Sequence, residues 1–229
     1  MNHPSKCVVL CPVAKSLEPE TEAALQTLVA AGYPVKLLKS GSQVDLVRSA
    51  LASQHLPDGY DETLWIDSDV VFTLADVERL RSHDLPFVAG LYVKKDRDEF
   101  ACQFRPGPIN FGKDGGLHEV HGCGMGFTLI RAEVFRKVKE VCGLPDCGGG
   151  YDPSFKITPW FIPMVTKNEA TGEYTYLSED YSFTERVKQA GYTIMADTTL
   201  KIGHVHRHVR TWDDIIQKPS YDALQLEAK

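Results

Sequence analysis

The first 93 residues alternate between short apolar segments and amphipathic ones, and this order restricts the possible folds more than any other feature of the chain. The apolar segments predict strands at 6–13, 33–39, 62–67 and 85–93. The intervening segments repeat their apolar residues with a helical period and predict helices at 18–32, 42–53 and 73–83. A β-α-β-α-β order is typical of an α/β fold, so we expect a mainly parallel sheet that is covered by helices.

The pattern becomes irregular after residue 100. Short antiparallel strands joined by turns are predicted at 100–130, and a helix is predicted at 131–143. Residues 144–177 hold four prolines and show no helical period, which is typical of a long functional loop. A further amphipathic helix at 178–192 is followed by an alternating strand that starts at residue 199.

Composition and charge disfavour some classes of protein. The chain has 229 residues, and its net charge of −6 does not predict general affinity for nucleic-acid phosphates. No run of about 18 apolar residues occurs, so a membrane span is not expected. The six cysteines include no Cys-x-x-Cys pair, and no signal-peptide core begins the chain, which together favour reduced thiols and a cytoplasmic location. We expect one domain at 1–212 and a C-terminal tail at 213–229.

Two aspartates directly follow the third predicted strand. Asp67 and Asp69 flank Ser68 in the sequence LWIDSDVVF (64–72), which is otherwise apolar. One interpretation is a turn in which these side chains bond to the nearby backbone. The other is a divalent cation site, because ligands of α/β sheets bind beyond the carboxyl ends of the strands and Mg²⁺ and Mn²⁺ prefer carboxylate oxygens.

Three glycines occupy alternate positions in GCGMG (122–126). Gly122, Gly124 and Gly126 remove every side chain from one side of this segment, which lets the backbone approach a ligand closely. No Gly-Lys-Ser or Gly-Lys-Thr follows, so the segment is not a phosphate-binding P-loop. A bulged strand that packs against a neighbour is the alternative interpretation.

A pair of acids begins the helix predicted at 178–192. Glu179 and Asp180 follow Ser178, which is a suitable capping residue. The helix dipole favours negative charge in the first turn, and this explains both acids structurally. The same position also suits a carboxylate base at the edge of a cleft.

Histidines at period two and one arginine complete the candidates found from the residues alone. His204, His206 and His208 continue one side of the last predicted strand, and their spacing beside arginines favours a metal or phosphate site. Arg48 flanks the apolar face of the second predicted helix and does not lie on the opposite, polar side. A cation there requires a buried anion, for which Asp67 or a bound nucleotide is a candidate, whereas a snorkelling arginine is the alternative.

Four motifs in a fixed order resemble those of a known family. The motifs are DSD (67–69), GCGMGFTLIRAEVF (122–135), SEDYSFTERVKQAGY (178–192) and IGHVH (202–206). They are similar to motifs of the metal-dependent nucleotide-sugar glycosyltransferases of the GT-A fold, especially the compact family-2-like forms, and the likeness spans about residues 6–210. The resemblance implies a Rossmann-like mixed sheet flanked by helices, a UDP- or GDP-sugar donor, and a Mn²⁺ or Mg²⁺ cofactor.

The resemblance also implies roles for individual residues. Asp69 would bind the metal directly, while Asp67 would reach the ribose or a metal-bound water. His204 would complete the metal shell, with His206 as its competitor, and Asp180 would be the catalytic base. Ser68, Gly122, Gly124 and Gly126 are the other donor-binding candidates that the resemblance implies, and position or charge adds Pro12, Val13, Ala14, Arg48, Arg207 and Arg210. The acceptor-binding candidates are Trp160 and Glu179.

These residues together predict the transfer of a sugar from a nucleoside-diphosphate sugar to an acceptor hydroxyl. A fixed base suits a single displacement, which inverts the anomeric centre. The acceptor is open among a glycan, a small molecule, a protein side chain and a modified nucleobase. Two other functions stay open. A sugar-nucleotide nucleotidyltransferase usually has a Gly-rich, Arg-containing loop after its first strand, which CPVAKSLEPE (11–20) lacks. A non-catalytic metal- or sugar-binding module would not need the Glu-Asp pair.

Overall fold

The computed structural model describes residues 3–39, 43–148, 155–168, 170–206, 208–212 and 223–228, with only the backbone described at 208–210 and 223–228. The helices in these ranges are α1 (Pro19–Ala30), α2 (Val44–His55), α3 (Leu74–Ser82), α4 (Ala132–Cys142) and α5 (Glu179–Gln189). The strands are β1 (Cys7–Val13), β2 (Val35–Lys39), β3 (Glu62–Ile66), β4 (Val70–Val71), β5 (Phe87–Gly90), β6 (Cys102–Phe104), β7 (Gly107–Gly112), β8 (Leu117–Cys123), β9 (Phe127–Arg131), β10 (Cys147–Gly148), β11 (Lys156–Ile157), β12 (Met164–Lys167), β13 (Tyr174–Leu177), β14 (Met195–Asp197), β15 (Gly203–His206), β16 (His208–Arg210) and β17 (Ala223–Ala228).

Eight strands form the central sheet in the order β2-β1-β3-β9-β5-β14-β8-β6. Strand β1 is parallel to β2 and β3, and β5 is parallel to β14, whereas the other neighbours in this sheet are antiparallel. The predicted α/β fold with a mixed sheet flanked by helices is confirmed. The expectation of mainly parallel pairing is wrong, because β9 comes from the irregular half of the chain and lies antiparallel between β3 and β5.

Helices cover both faces of the sheet, and strand β3 shows how the two cores are separated. Trp65 belongs to the core that includes residues of α2, α4 and α5, while Leu64 and Ile66 belong to the core that includes residues of α1 and α3. All five residues of β3 are buried. A strand covered on both faces needs apolar residues on both sides, which explains why no hydrophobic alternation is seen here.

The start of α5 is fixed by a residue inside the helix. Ser178 occupies the N-cap position, but its side chain makes no capping hydrogen bond, so its predicted capping role is corrected. The hydroxyl of Ser182 accepts from the N–H of Met164 and donates to the carbonyl of Leu177, both at 2.9 Å. These bonds tie the first turn of α5 to the β12–β13 hairpin.

The second half of the chain holds strands that the sequence did not predict. Within 144–177, strands β10 and β11 form one antiparallel pair and β12 and β13 form another. Strands of two to four residues are too short to show a period. Strand β17 pairs antiparallel with β7, so part of the predicted tail joins the fold. In the described ranges, no helix is both long and apolar enough to cross a membrane.

Candidate active site

A cavity of about 240 Å³ opens at the carboxyl ends of β1 and β3, where ligands of α/β sheets bind. Its lining comes from five separate segments of the chain. The lining residues are Pro12, Val13, Ala14, Val44, Val47, Arg48, Asp67, Ser68, Asp69, Glu179, Asp180 and His204. All of them except Val44 and Val47 are residues that the sequence singled out, so the tertiary structure brings most of the candidates together.

The turn after β3 is fixed by hydrogen bonds to the residue that precedes β9 and to strand β15. The N–H of Asp67 donates to the carbonyl of Gly126 at 3.0 Å, and the carbonyl of Asp69 accepts from the N–H of Val205 at 2.8 Å. Strand β4 then pairs antiparallel with β15, which brings His204 to the same end of the sheet. A turn and a ligand site are therefore compatible here, because the turn itself carries both carboxylates into the cavity wall.

Arg48 joins two carboxylates in the cavity wall. It is 2% exposed, and its Nη2 lies 2.9 Å from Oδ1 of Asp67, while its Nε lies 3.3 Å from Oδ1 of Asp180. Burial disfavours the charged guanidinium, but the two carboxylates outweigh this effect and raise the pKa of Arg48 above its ordinary value. The predicted buried anion is therefore present, and Arg48 does not snorkel to the surface.

Three polar atoms of the Arg48–Asp180 pair are not satisfied by the chain. Nε and Nη1 of Arg48 and Oδ1 of Asp180 are buried and make no hydrogen bond with any described residue, although Nε and Oδ1 are close enough to form an ion pair. Buried polar atoms without partners are uncommon in native proteins and are explained by strain, a catalytic role or a bound species. This pair therefore has hydrogen-bonding capacity that the described chain does not use.

Asp180 lies in the first turn of α5, but the helix does not dominate its charge. Burial raises the pKa of Asp180 to about 7, an effect that Arg48 opposes and that Glu179 and Asp67 strengthen. Its Oδ2 accepts a hydrogen bond from the N–H of Met125 at 3.2 Å. The helix dipole favours the charged carboxylate, but burial near other carboxylates favours its protonated form. Asp180 can therefore gain and lose a proton near neutral pH.

Asp69 is contacted at both carboxylate oxygens. The Nζ of Lys95 donates to Oδ2, and Nε2 of His204 lies 3.3 Å from Oδ1. Burial opposes ionisation, but the hydrogen bonds of His204 and Lys95 outweigh it and hold the pKa of Asp69 below its ordinary value. Nδ1 of His204 lies 2.8 Å from the carbonyl oxygen of Val93, to which only an N–H can donate. This bond aims Nε2 at Asp69.

The Asp69–His204 pair fits a divalent cation. If Nδ1 carries the only ring proton, Nε2 offers a lone pair in place of the N–H that bonds Asp69, and a cation between Nε2 and Oδ1 would satisfy both atoms. No group of three His, Cys, Asp or Glu side chains among the described residues could hold a metal by itself. Ions such as Mg²⁺ often take one or two protein ligands and complete their shell with substrate phosphates and water. Oδ1 of Asp67 is paired with Arg48, whose guanidinium is always charged, so this carboxylate already has a permanent cation as its partner.

The glycine segment makes room for two tyrosines and does not line the cavity. A Cβ atom added to Gly124 would lie 2.4 Å from the hydroxyl oxygen of Tyr92, and one added to Gly126 would lie 2.7 Å from it. At Gly122 an added Cβ would lie 3.0 Å from the ring of Tyr181. The cavity lining includes none of the three glycines. The three glycines therefore lie behind the wall of the cavity and leave room for the tyrosines, and their predicted contact with the donor is not seen.

Four other candidates do not contribute a described side chain to the cavity wall. Trp160 is 5% exposed and donates from Nε1 to a backbone carbonyl at 3.1 Å, so it belongs to the core and its predicted contact with an acceptor is not supported. His206 is exposed and borders a different groove, which leaves His204 as the histidine of the cavity. Arg207 lies outside the described residues, as does the side chain of Arg210.

Tyr92 and Lys95 are the site residues that the sequence analysis missed. Both belong to LYVKK (91–95), directly after β5. The buried ring of Tyr92 packs edge-on against His204 with 5.2 Å between ring centroids, and Lys95 contacts Asp69. Their position is the signal that could have found them, since β5 runs in the same direction as β3 and ends at the same edge of the sheet.

Comparison with known proteins gives a fold but no family. No protein-family model and no curated protein matches the chain. The crystal structure of A197 from STIV is similar over 90% of this chain and 90% of that chain, with a TM-score of 0.57 and 22% sequence identity. This likeness shows that the two proteins share a fold.

Two glycosyltransferase structures are more distantly similar. The structure of GalNAc-T7 with UDP, GalNAc and Mn²⁺ matches 87% of this chain and 43% of that chain, with 10% identity and a TM-score of 0.44. A glycosyltransferase involved in the glycosylation of the major capsid of PBCV-1 matches 59% of this chain and 66% of that chain, with 12% identity and a TM-score of 0.35. Likenesses of this extent carry no argument about function.

Proposed function

We propose that this protein is a metal-dependent glycosyltransferase that moves a sugar from a UDP- or GDP-sugar to an acceptor hydroxyl with inversion. One observation carries the proposal: a single cavity holds the Asp69–His204 pair and the Arg48–Asp180 pair against the ends of β1 and β3. The first pair suits a cation on a departing diphosphate. The second pair suits the transfer of a proton from an acceptor hydroxyl.

Asp69 and His204 would hold the divalent cation. A bound cation of this kind stabilises the negative charge that grows on the departing nucleoside diphosphate. The imidazole nitrogen favours Mn²⁺ over Mg²⁺, because Mg²⁺ prefers oxygen ligands. The Nζ of Lys95 lies against the same carboxylate and adds a positive charge for the phosphate oxygens.

The walls of the cavity divide between apolar and charged groups in a way that suits a nucleotide. The apolar wall consists of Pro12, Val13, Ala14, Val44 and Val47. Asp67 would accept a hydrogen bond from the ribose while Arg48 holds its carboxylate in place. The nucleoside would therefore contact the apolar wall, and the diphosphate would lie toward Asp69.

Asp180 would be the catalytic base. A base is most effective when its pKa lies near the working pH, and burial raises the pKa of Asp180 to about 7. The N–H of Met125 orients its carboxylate through Oδ2. In a single displacement, Asp180 takes the proton of the acceptor hydroxyl while the new glycosidic bond forms and the bond to the diphosphate breaks. The anomeric centre is inverted as a result.

Slow hydrolysis of sugar nucleotides tests this function. With Mn²⁺ and a panel of UDP- and GDP-sugars, the protein should release a nucleoside diphosphate. Asp69→Ala should lose both this release and the Mn²⁺-dependent binding of UDP or GDP in calorimetry, whereas Asp58→Ala removes an exposed carboxylate outside the cavity and is the control. Unchanged nucleotide affinity in Asp69→Ala would contradict the metal assignment. Pyrophosphate exchange would indicate a nucleotidyltransferase, and binding without turnover would indicate a non-catalytic module.

A further inference from the structure

A second groove borders the same turn of α5 as the candidate active site. Its volume is about 430 Å³, which lies in the range of about 300–1,000 Å³ that is typical of ligand sites. Its walls include Lys94, Glu99, Phe100, Gln103, Phe104 and Tyr181. We call it the Tyr181 groove. Asp180 lines the active-site cavity and the next residue, Tyr181, lines this groove, so consecutive residues of α5 line the two sites.

The backbone that supports the active-site cavity also supports the groove. The N–H of Gly124 donates to the carbonyl of Ala101 at 2.7 Å, and the N–H of Ala101 donates to the carbonyl of Tyr92 at 3.0 Å. Ala101 follows Phe100 of the groove, while Tyr92 packs against His204 of the active site. The two sites therefore share a framework of hydrogen-bonded backbone at Tyr92, Ala101 and Gly124.

We propose that the Tyr181 groove binds the acceptor and that the acceptor is a carbohydrate. This inference rests on the function proposed above. A sugar ring has an apolar C–H face and a rim of hydroxyl groups that both donate and accept hydrogen bonds. Phe104 and Tyr181 offer half-buried aromatic rings to such a face, while Gln103 can donate and accept, and Lys94 and Glu99 supply a donor and an acceptor.

The aromatic walls are held in place before any ligand binds. The ring of Tyr181 packs against the backbone of Gly122, where an added Cβ would lie 3.0 Å from it. Phe104 packs edge-on against Phe100 with 5.5 Å between centroids, and Phe100 stacks on Phe111 at 5.1 Å. Rigid walls reduce the entropy that is lost on binding. Gly122 thus leaves room for Thr184, whose Oγ1 would lie 2.9 Å from an added Cβ, and for Tyr181, which forms one wall of the groove.

Charge and strand geometry favour a carbohydrate over a nucleic acid or a peptide. Lys94 and Glu99 form an ion pair at 2.9 Å, so the groove presents no excess of positive charge for phosphates. Strand β6 is the edge of the central sheet and could in principle accept a peptide strand. It has only three residues, however, and its pairing with β8 is irregular between Gln103 and Phe104. Short and bulged edges resist the addition of a strand.

Saturation-transfer NMR tests the groove without relying on turnover. The probes are methyl α-D-mannopyranoside, methyl β-D-galactopyranoside, methyl β-D-glucopyranoside and a serine-rich hexapeptide, each added with diamagnetic Mg²⁺ and either UDP or GDP. At least one glycoside should receive saturation from the protein, and Gln103→Ala and Phe104→Ala should each weaken its affinity by about 10-fold. Gln26→Ala replaces an exposed glutamine on α1 and should leave the glycoside affinity within twofold.

Each outcome of this experiment decides the proposal. Binding of no glycoside, binding of the peptide alone, or equal glycoside affinity in wild type and Gln103→Ala would overturn it. Gln103 is exposed, so Gln103→Ala decides the outcome if Phe104→Ala fails to fold. Donor hydrolysis without glycoside binding would refute only this inference. Glycoside binding without donor hydrolysis would instead refute the proposed enzyme and leave the groove as a sugar-binding site.

Discussion

Arg48→Met tests the link between the two carboxylates of the site. Methionine keeps much of the length of the side chain but removes the cation that lies 2.9 Å from Asp67 and 3.3 Å from Asp180. With an effective dielectric constant of about 20, the attraction at the longer distance is about 332/(20 × 3.3), or about 5 kcal/mol, as an upper bound. Carboxyl groups beside an arginine have pKa values lowered by about 1–3 pH units. We therefore expect the pKa of Asp180 to rise by about that much in the variant.

The pH dependence of transfer reports this change. A base acts in its ionised form, so the rate should fall as the pH is lowered through the pKa of Asp180, near 7 in the wild type. In Arg48→Met this acidic limb should move up by about 1–3 pH units. The stability of Arg48→Met relative to the wild type should also fall as the pH rises. The pKa of folded Asp180 lies above the unfolded value of about 3.9, so ionising this buried carboxyl lowers the free energy of unfolding. This loss of stability is absent below the unfolded pKa and complete above the folded pKa. The variant should therefore lose more stability at about pH 9 than at about pH 5.

Arg186→Met is the matched control. Arg186 is also buried, but its Nη1 donates to the carbonyl of Trp160 at 3.1 Å, and burial lowers its pKa. Its replacement should lower the midpoint of thermal unfolding and leave the acidic limb in place. The reasoning would be refuted by an acidic limb that stays at the wild-type pH in Arg48→Met. It would also be refuted by equal movement in both variants.

Three further predictions address the metal, the base and the glycine segment. His204→Ala should weaken Mn²⁺-dependent nucleotide binding by about 10-fold or more in calorimetry, and His206→Ala should do less; the reverse order would move the ligand to His206. Asp180→Asn should keep this binding but reduce transfer by at least about 100-fold. Proton NMR of the wild-type product should show the inverted anomer. Near-normal transfer by the variant, or a retained anomer in the product, would remove Asp180 as the base. Gly124→Ala places a Cβ 2.4 Å from a buried tyrosine hydroxyl and should lower the free energy of unfolding in denaturant by about 1–3 kcal/mol. The control is Gly116→Ala, whose added Cβ meets nothing within 4 Å. An equal loss of stability in both variants would contradict the close contact.

Much of the architecture was predictable, because many of its strands and helices depend on patterns among residues that are neighbours in sequence. The apolar segments that became β1, β2, β3 and β5 are recognisable from runs of neighbouring residues, as are the amphipathic helices between them. Asp67, Asp69 and Asp180 were identified because each lies at a defined end of such an element, and the ends of parallel strands meet at one edge of a sheet. Short strands such as β10 to β14 were missed, since two to four residues give no period.

The position of β9 and the charges of the site were decided by tertiary structure alone. No local pattern places β9 antiparallel between β3 and β5, or packs Trp160 in the core away from the cavity. The sequence indicated that Arg48 needs an anion, but only the fold supplies two carboxylates and buries Asp180 enough to raise its pKa. Hydrophobic period and helix capping depend on neighbours along the chain. Burial and charge pairing depend on distances between segments that are far apart in sequence, so they are fixed only when those segments pack together.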